Sequence, residues 1–99
     1  MGIVVHHDEA KRLRTLARRD GITVAFSPHA EQKMKLDRHT RVDVLSILKI
    51  CGVTRCELHC MEWRWTATGR TCDGQPVEIV CVAKEELIRI DVITVWKKG

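Results

Sequence analysis

The hydrophobic positions follow two rhythms, helical spacing in the first half of the chain and strand spacing in the second. From Asp8 to Arg19, residues Ala10, Leu13, Leu16 and Ala17 recur at three- and four-residue intervals, which predicts a helix with one apolar stripe. Acids at its start (Asp8, Glu9) and bases at its end (Arg18, Arg19) suit the helix dipole, and Asp20-Gly21 stops it. Ile22 to Phe26 is short, apolar and partly β-branched, and reads as a strand. Ser27-Pro28 opens a second helix, with Ser as cap, Pro at the first helical position and Glu31 one place past the capping-box position. It ends near Leu36–Asp37, with Ala30 and Met34 on one face and His29 and Lys33 on the next. Thr40 caps a third helix with Asp43 as its partner. Val44, Leu45, Ile47, Leu48 and Cys51 form its apolar side, and Gly52 suits the position just past its end.

The rhythm then changes to two. In Val53–His59, Thr54, Cys56 and Leu58 face one side and Arg55, Glu57 and His59 the other. Met61–Thr71 follows, Asp73-Gly74 signals a hairpin, and Pro76–Ala83 is the return strand. Lys84-Glu85-Glu86 is a charged turn before a last strand, Leu87–Trp96. The unbroken runs Val80–Val82 and Val92–Trp96 (Thr94 apart) mark central strands covered on both faces, or nearly so. Helices followed by three or four antiparallel strands predict an α+β domain with its helices on one sheet face.

With 99 residues the chain makes one domain, residues 1–99, and no apolar run approaches the roughly 20 residues of a membrane span. Met1–Ala10 carries neither the basic nor the apolar region of a signal peptide, and His6 stands where acylation at Gly2 wants Ser or Thr. A cytoplasmic protein without a membrane is expected. Residues 1–50 carry ten Lys and Arg against six Asp and Glu, and the remainder seven of each, so the net charge of +4 lies in the first half. That suits a polyanionic partner, and equally a solvated helical face. An odd count of five cysteines, with no secretory segment, argues for reduced thiols packed in the core.

Metal ligation by Cys56, His59 and Cys60, or by His6-His7, lacks a matching second pair, and on a strand His59 opposes the two thiols. No metal or other cofactor is expected. Cys72, before the Asp73-Gly74 turn, is the one thiol expected at the surface, and nothing marks it as an activated nucleophile. Trp63 and Trp65 share one side of a strand, Trp96 ends another, and Arg64 lies between the first two. These rings are either base-stacking surfaces or the bulk of the core. The densest polar group is His29, Lys33, Lys35, Arg38, His39 and Arg41, where a helix N-terminus, a histidine and several cations can hold phosphate.

The segment Ser27-Pro28-His29-Ala30, with Lys33-Met34, Asp37-Arg38 and Thr40-x3-Val44, resembles the opening of a small bacterial family of unknown function. Trp65-x3-Gly69-Arg70-Thr71-x-Asp73-Gly74 and the closing Val92–Trp96 extend the resemblance, which covers about residues 23–97. That family is itself similar to RelE/BrnT-like toxins of the barnase–EndoU–colicin–RelE group. The resemblance implies a curved antiparallel sheet of about four strands with two helices on one face, here with residues 1–21 as an added helical extension before a core of residues 22–97. It implies metal-independent RNA cleavage, in which a base takes the ribose 2′-hydroxyl proton, cations stabilise the phosphorane and an acid protonates the leaving oxygen. His29 matches the family's His-Ala and becomes the general acid/base, Arg38 and Arg70 the phosphate contacts, and Thr94 the residue that orients them. Lys33 stands where Arg is usual, and the chain has no Tyr.

These readings predict a toxin-type ribonuclease of a toxin–antitoxin or mobile-element system. His29, Arg38 and Arg70 are its catalytic residues, Lys33, Arg41, Arg64, Thr94 and Trp96 contact RNA, and a small acidic antitoxin covers the basic face. The competing expectation is a non-catalytic module binding nucleic acid or protein. A third is a regulator that dimerises through an exposed sheet edge, with residues such as Trp63 bare there. Geometry separates them: catalysis requires His29, Arg38 and Arg70 around one cleft.

Overall fold

A computed structural model describes residues 6–98. The reading of Gly2 and half of the Met1–Ala10 segment lie outside the described residues. Along the chain run α1 (His7–Ala17), β1 (Thr23–Phe26), α2 (Pro28–Asp37), α3 (Arg41–Leu48), β2 (Gly52–His59), β3 (Glu62–Arg70), β4 (Pro76–Lys84), a 3-10 turn (Glu85–Leu87) and β5 (Arg89–Lys97).

Side-chain caps set the starts of α2 and α3. Ser27 Oγ accepts from Ala30 N at 3.0 Å as the cap of α2, and its hydroxyl donates to the Ile93 carbonyl at 2.6 Å, so one side chain both starts the helix and ties it to β5. Arg38 ends α2 in the left-handed region at φ 59°, where glycine is the usual occupant. Thr40 and Asp43 form a reciprocal capping box, Asp43 N donating to Thr40 Oγ1 at 3.1 Å and Thr40 N to Asp43 Oδ2 at 2.9 Å. Gly52, expected to end α3, instead begins β2; α3 stops at Leu48 with Lys49 as its cap.

The sheet order is β1-β5-β4-β3-β2, so the two apolar runs do lie in the central strands β4 and β5. Strands β2 to β5 form an antiparallel meander, while β1 lies parallel to β5. Five mixed strands therefore replace the expected antiparallel sheet of about four. The reason is connectivity. A strand followed by a helix cannot close a hairpin, so Thr23–Phe26 adds at an edge of the meander, that of β5. Two bulges keep the apolar residues on one face. The shift between Val53 and Arg55 lets both Val53 and Cys56 face the helices, and the shift opposite Val80/Cys81 does the same for Val92 and Val95.

A single core joins Leu13 and Leu16 of α1, Ala30 and Met34 of α2, Val44, Ile47 and Leu48 of α3, and the sheet residues Val53, Trp65, Ala67, Ile79, Cys81, Ile90, Val92 and Val95. All three helices thus cover the same face, and α1 is a full member of the layer, not an appendage to a two-helix core. Its seat is fixed at both ends: His6 N donates to the Val53 carbonyl at 3.1 Å and Arg14 Nη1 to the Cys51 carbonyl at 2.8 Å. Ile47 of α3 presses against Gly69 of β3, where an added Cβ would stand 2.7 Å from Ile47 Cγ2. The second sheet face carries no helix among the described residues, so β4 and β5 are covered by helices on one side only. Among the described residues no helix is long and apolar enough to cross a membrane.

The thiols divide by position. Cys51 and Cys81 are buried and Cys56 is half-buried, while Cys60 in the β2–β3 turn joins Cys72 at the surface. The expectation of core thiols thus holds for two of five, and Cys72 is not alone in being exposed. Trp65 is buried against the helices; Trp63, two residues earlier on the same side, is 56% exposed beside Leu58 and Met61 at the end of the hairpin.

Candidate functional site

The helical cation group disperses once folded. His29 is exposed in the first turn of α2, and Arg38 ends the same helix, roughly 13 Å further along its axis. Arg38 borders a recess of about 250 Å³ between the α2–α3 connection and the β3–β4 turn, which Asp37, Asp43 and Asp73 also line. His39 lies there too, with a buried Nδ1 lacking a hydrogen-bond partner. Arg70 borders an adjoining recess that shares Asp43, Thr71 and Cys72 with the first, and its Nη1 donates to the Gly74 carbonyl at 2.8 Å. His29 lines neither recess. The expected catalytic group therefore does not converge. Three aspartates against Arg38 and Lys97 in its lining also oppose a phosphate there. Arg41 pairs with Glu31 and lies over the Phe26 ring at 5.1 Å, and Lys33 is half-buried on α2.

The open sheet face gathers what the helices do not. Register pairs Glu57 with Arg64, Arg55 with Thr66, Thr66 with Val80, Val80 with Thr94, and Glu78 with Trp96, and directly opposed residues point to the same side. A groove of about 270 Å³ on this face is lined by Glu57, His59, Arg64, Thr66 and Thr94, with Val80 and Ile93 as its apolar floor. Arg64 and Thr94, two of the expected RNA contacts, meet in it. Arg64 Nε is buried and has no hydrogen-bond partner, an arrangement that costs stability unless something binds it.

The neighbouring acids are already engaged. Trp96 Nε1 donates to Glu78 Oε1 at 3.0 Å, with Lys98 Nζ 3.6 Å from the other oxygen. Asp91 is held by Lys84 at 2.7 Å and Arg89 at 2.6 Å. Burial pushes the Asp91 carboxyl up, but these two hydrogen-bonded cations more than offset it and leave it below its ordinary value. Glu57 lies 3.7 Å from Arg55, a loose surface pair.

Glu57 and His59 were absent from the expected site. The alternation of Arg55, Glu57 and His59 was legible, but only the β2–β3 register reveals that they face Arg64. The triplet Cys56, His59 and Cys60 does not assemble, since His59 faces the open side, Cys56 the helices, and Cys60 lies in the turn. Compared with protein-family models, with curated proteins and with solved structures, the chain matches none.

Proposed function

We propose that the chain is an RNA-binding module whose open sheet face grips the phosphate backbone. The observation that carries this reading is Arg64, whose Nε is buried without a hydrogen-bond partner and whose side chain lines a groove together with Thr66 and Thr94. A phosphate oxygen supplies the acceptor Arg64 lacks, and Thr66 and Thr94 donate to the same group. Trp96 offers a ring at the far end of that face for base stacking, its indole N–H held by Glu78. The separation of His29 from the adjoining recesses of Arg38 and Arg70 favours binding over catalysis at those residues.

A cleavage reading has one observation in its favour, at a different place: Glu57 and His59 line the same groove as Arg64. A carboxylate, an imidazole and a guanidinium are the base, acid and cation that 2′-hydroxyl attack requires. The antiparallel meander β2–β5 with helices on one face supports the RelE-like reading, from which the third helix and the parallel β1 depart, and an acidic antitoxin-like protein is the partner class which that reading brings. The test is anisotropy of a labelled single-stranded RNA. Arg64→Ala is expected to weaken binding about tenfold, the scale of a lost charged hydrogen bond, while Arg38→Ala leaves it unchanged. Incubation of the RNA then decides cleavage: fragments ending in cyclic phosphate, lost in His59→Ala, support the nuclease, and intact RNA restricts the protein to binding.

A further inference from the structure

On the opposite, helix-bearing side, three donors of different chemistry converge. His6, Glu9 and Cys56 place one imidazole nitrogen, one carboxylate oxygen and one thiol sulfur within 4.8 Å of one another, all half-buried. His6 Nδ1 stands 4.0 Å from Glu9 Oε1, too far for a hydrogen bond. Donors sharing one tetrahedral ion at zinc–ligand distances lie about 3.3–3.7 Å apart, so closure asks for shifts below roughly 1 Å.

The backbone holds the trio in place. His6 and Glu9 lie three residues apart at the start of α1 and so face the same way. His6 N is bonded to the Val53 carbonyl, and the β2 bulge turns Cys56 toward α1. The cluster forms one wall of a cleft of about 630 Å³, whose other walls include Trp65 and Ala83 together with the charged side chains of Arg12, Glu62, Lys84 and Glu86. Arg12 lies over the Trp65 ring at 5.2 Å and pairs with Glu85, so its charge is already engaged.

We propose that His6, Glu9 and Cys56 bind one zinc-class divalent ion whose fourth coordination position opens into this cleft. Mixed nitrogen, oxygen and sulfur donors select zinc and its neighbours over magnesium or calcium, which take oxygen ligands. Three protein ligands leave the fourth place to water or to a small anionic ligand, the arrangement of zinc sites that exchange ligands. The site stands apart from the RNA groove, and neither reading depends on the other.

Cobalt(II) is the probe, titrated into the reduced full chain carrying Cys60→Ser and Cys72→Ser, which removes the exposed thiols. One equivalent is expected to produce a thiolate-to-cobalt charge-transfer band with the intense visible absorption of a four-coordinate ion, and zinc displaces it. Adding Cys56→Ser abolishes the band, and Glu9→Gln or His6→Gln weakens binding at least tenfold. Because Glu9 lies at the helix surface, Glu9→Gln reads the site even if Cys56→Ser fails to fold. His59→Gln leaves binding unchanged. A band of equal strength in Cys56→Ser, unaltered affinity in Glu9→Gln, or no band up to millimolar cobalt overturns the proposal.

Discussion

A thiol's reactivity follows its surroundings, and the five cysteines span the range. Burial pushes Cys51 up to about 11 in spite of Arg14, and pushes the fully enclosed Cys81 further still, with the nearby Cys51 adding to the rise. A disulfide reagent at mildly alkaline pH should therefore modify Cys60 and Cys72 at once and reach Cys51 and Cys81 only on unfolding; rapid labelling of all five would contradict the packing. Gly69 is a second residue-scale test. Its hydrogen is the one substituent that fits under Ile47, so Gly69→Ala should cost about 1–3 kcal/mol in denaturant unfolding. The capping box gives a third. The Thr40 backbone N–H, then its hydroxyl, holds the Asp43 carboxyl below its ordinary value of 3.8. A lowered folded-state value contributes stability above 3.8 and loses it as pH falls through the folded value. Thr40→Ala should lose about 1 kcal/mol at neutral pH and shrink that acid limb without removing it, because the residue-40 backbone N–H still donates to Asp43. These caps were legible because each is a contact between residues three apart.

At the scale of elements, the helices were readable and the sheet only partly. Ser27-Pro28 and Thr40–Asp43 specify their helices locally, and the expected and observed boundaries differ by at most two residues except at the end of α3. The place of β1 was not readable, because four residues carry no information about which edge they join. The standing of α1 was underestimated for a related reason. Its stripe of Ala10, Leu13, Leu16 and Ala17 was evident, but nothing local distinguishes a helix that packs on the shared core from one that docks outside it. Leu13 is fully buried, so Leu13→Ala should cost about 3 kcal/mol, the scale of a core cavity. Thermal unfolding of that variant measures it, and a loss below about 1 kcal/mol would return α1 to the status of an extension.

At the scale of the whole molecule, chemistry-bearing residues sort by face. Lys33, Arg38 and Arg41 cluster in sequence, yet folding spreads them over α2, its C-terminal cap and the start of α3, where Glu31 pairs with Arg41 and three aspartates share a recess with Arg38. Arg64, Thr94, Glu57 and His59 belong to three strands, and only strand register brings them to one groove. The same holds for His6, Glu9 and Cys56 on the other side, whose distance in sequence defeats any spacing motif. Local spacing thus exposed helix starts and strand faces, and it was blind to both clusters. The open-face claim is tested most directly by the salt dependence of RNA binding, measured by anisotropy for the wild type and Arg64→Ala over a series of salt concentrations. If Arg64 meets a phosphate, the variant binds about tenfold more weakly and its log–log salt slope falls by roughly 0.7, the counterion release of one single-strand contact. Identical affinities and slopes for the two proteins, or a wild type that binds no RNA at low salt, would contradict it.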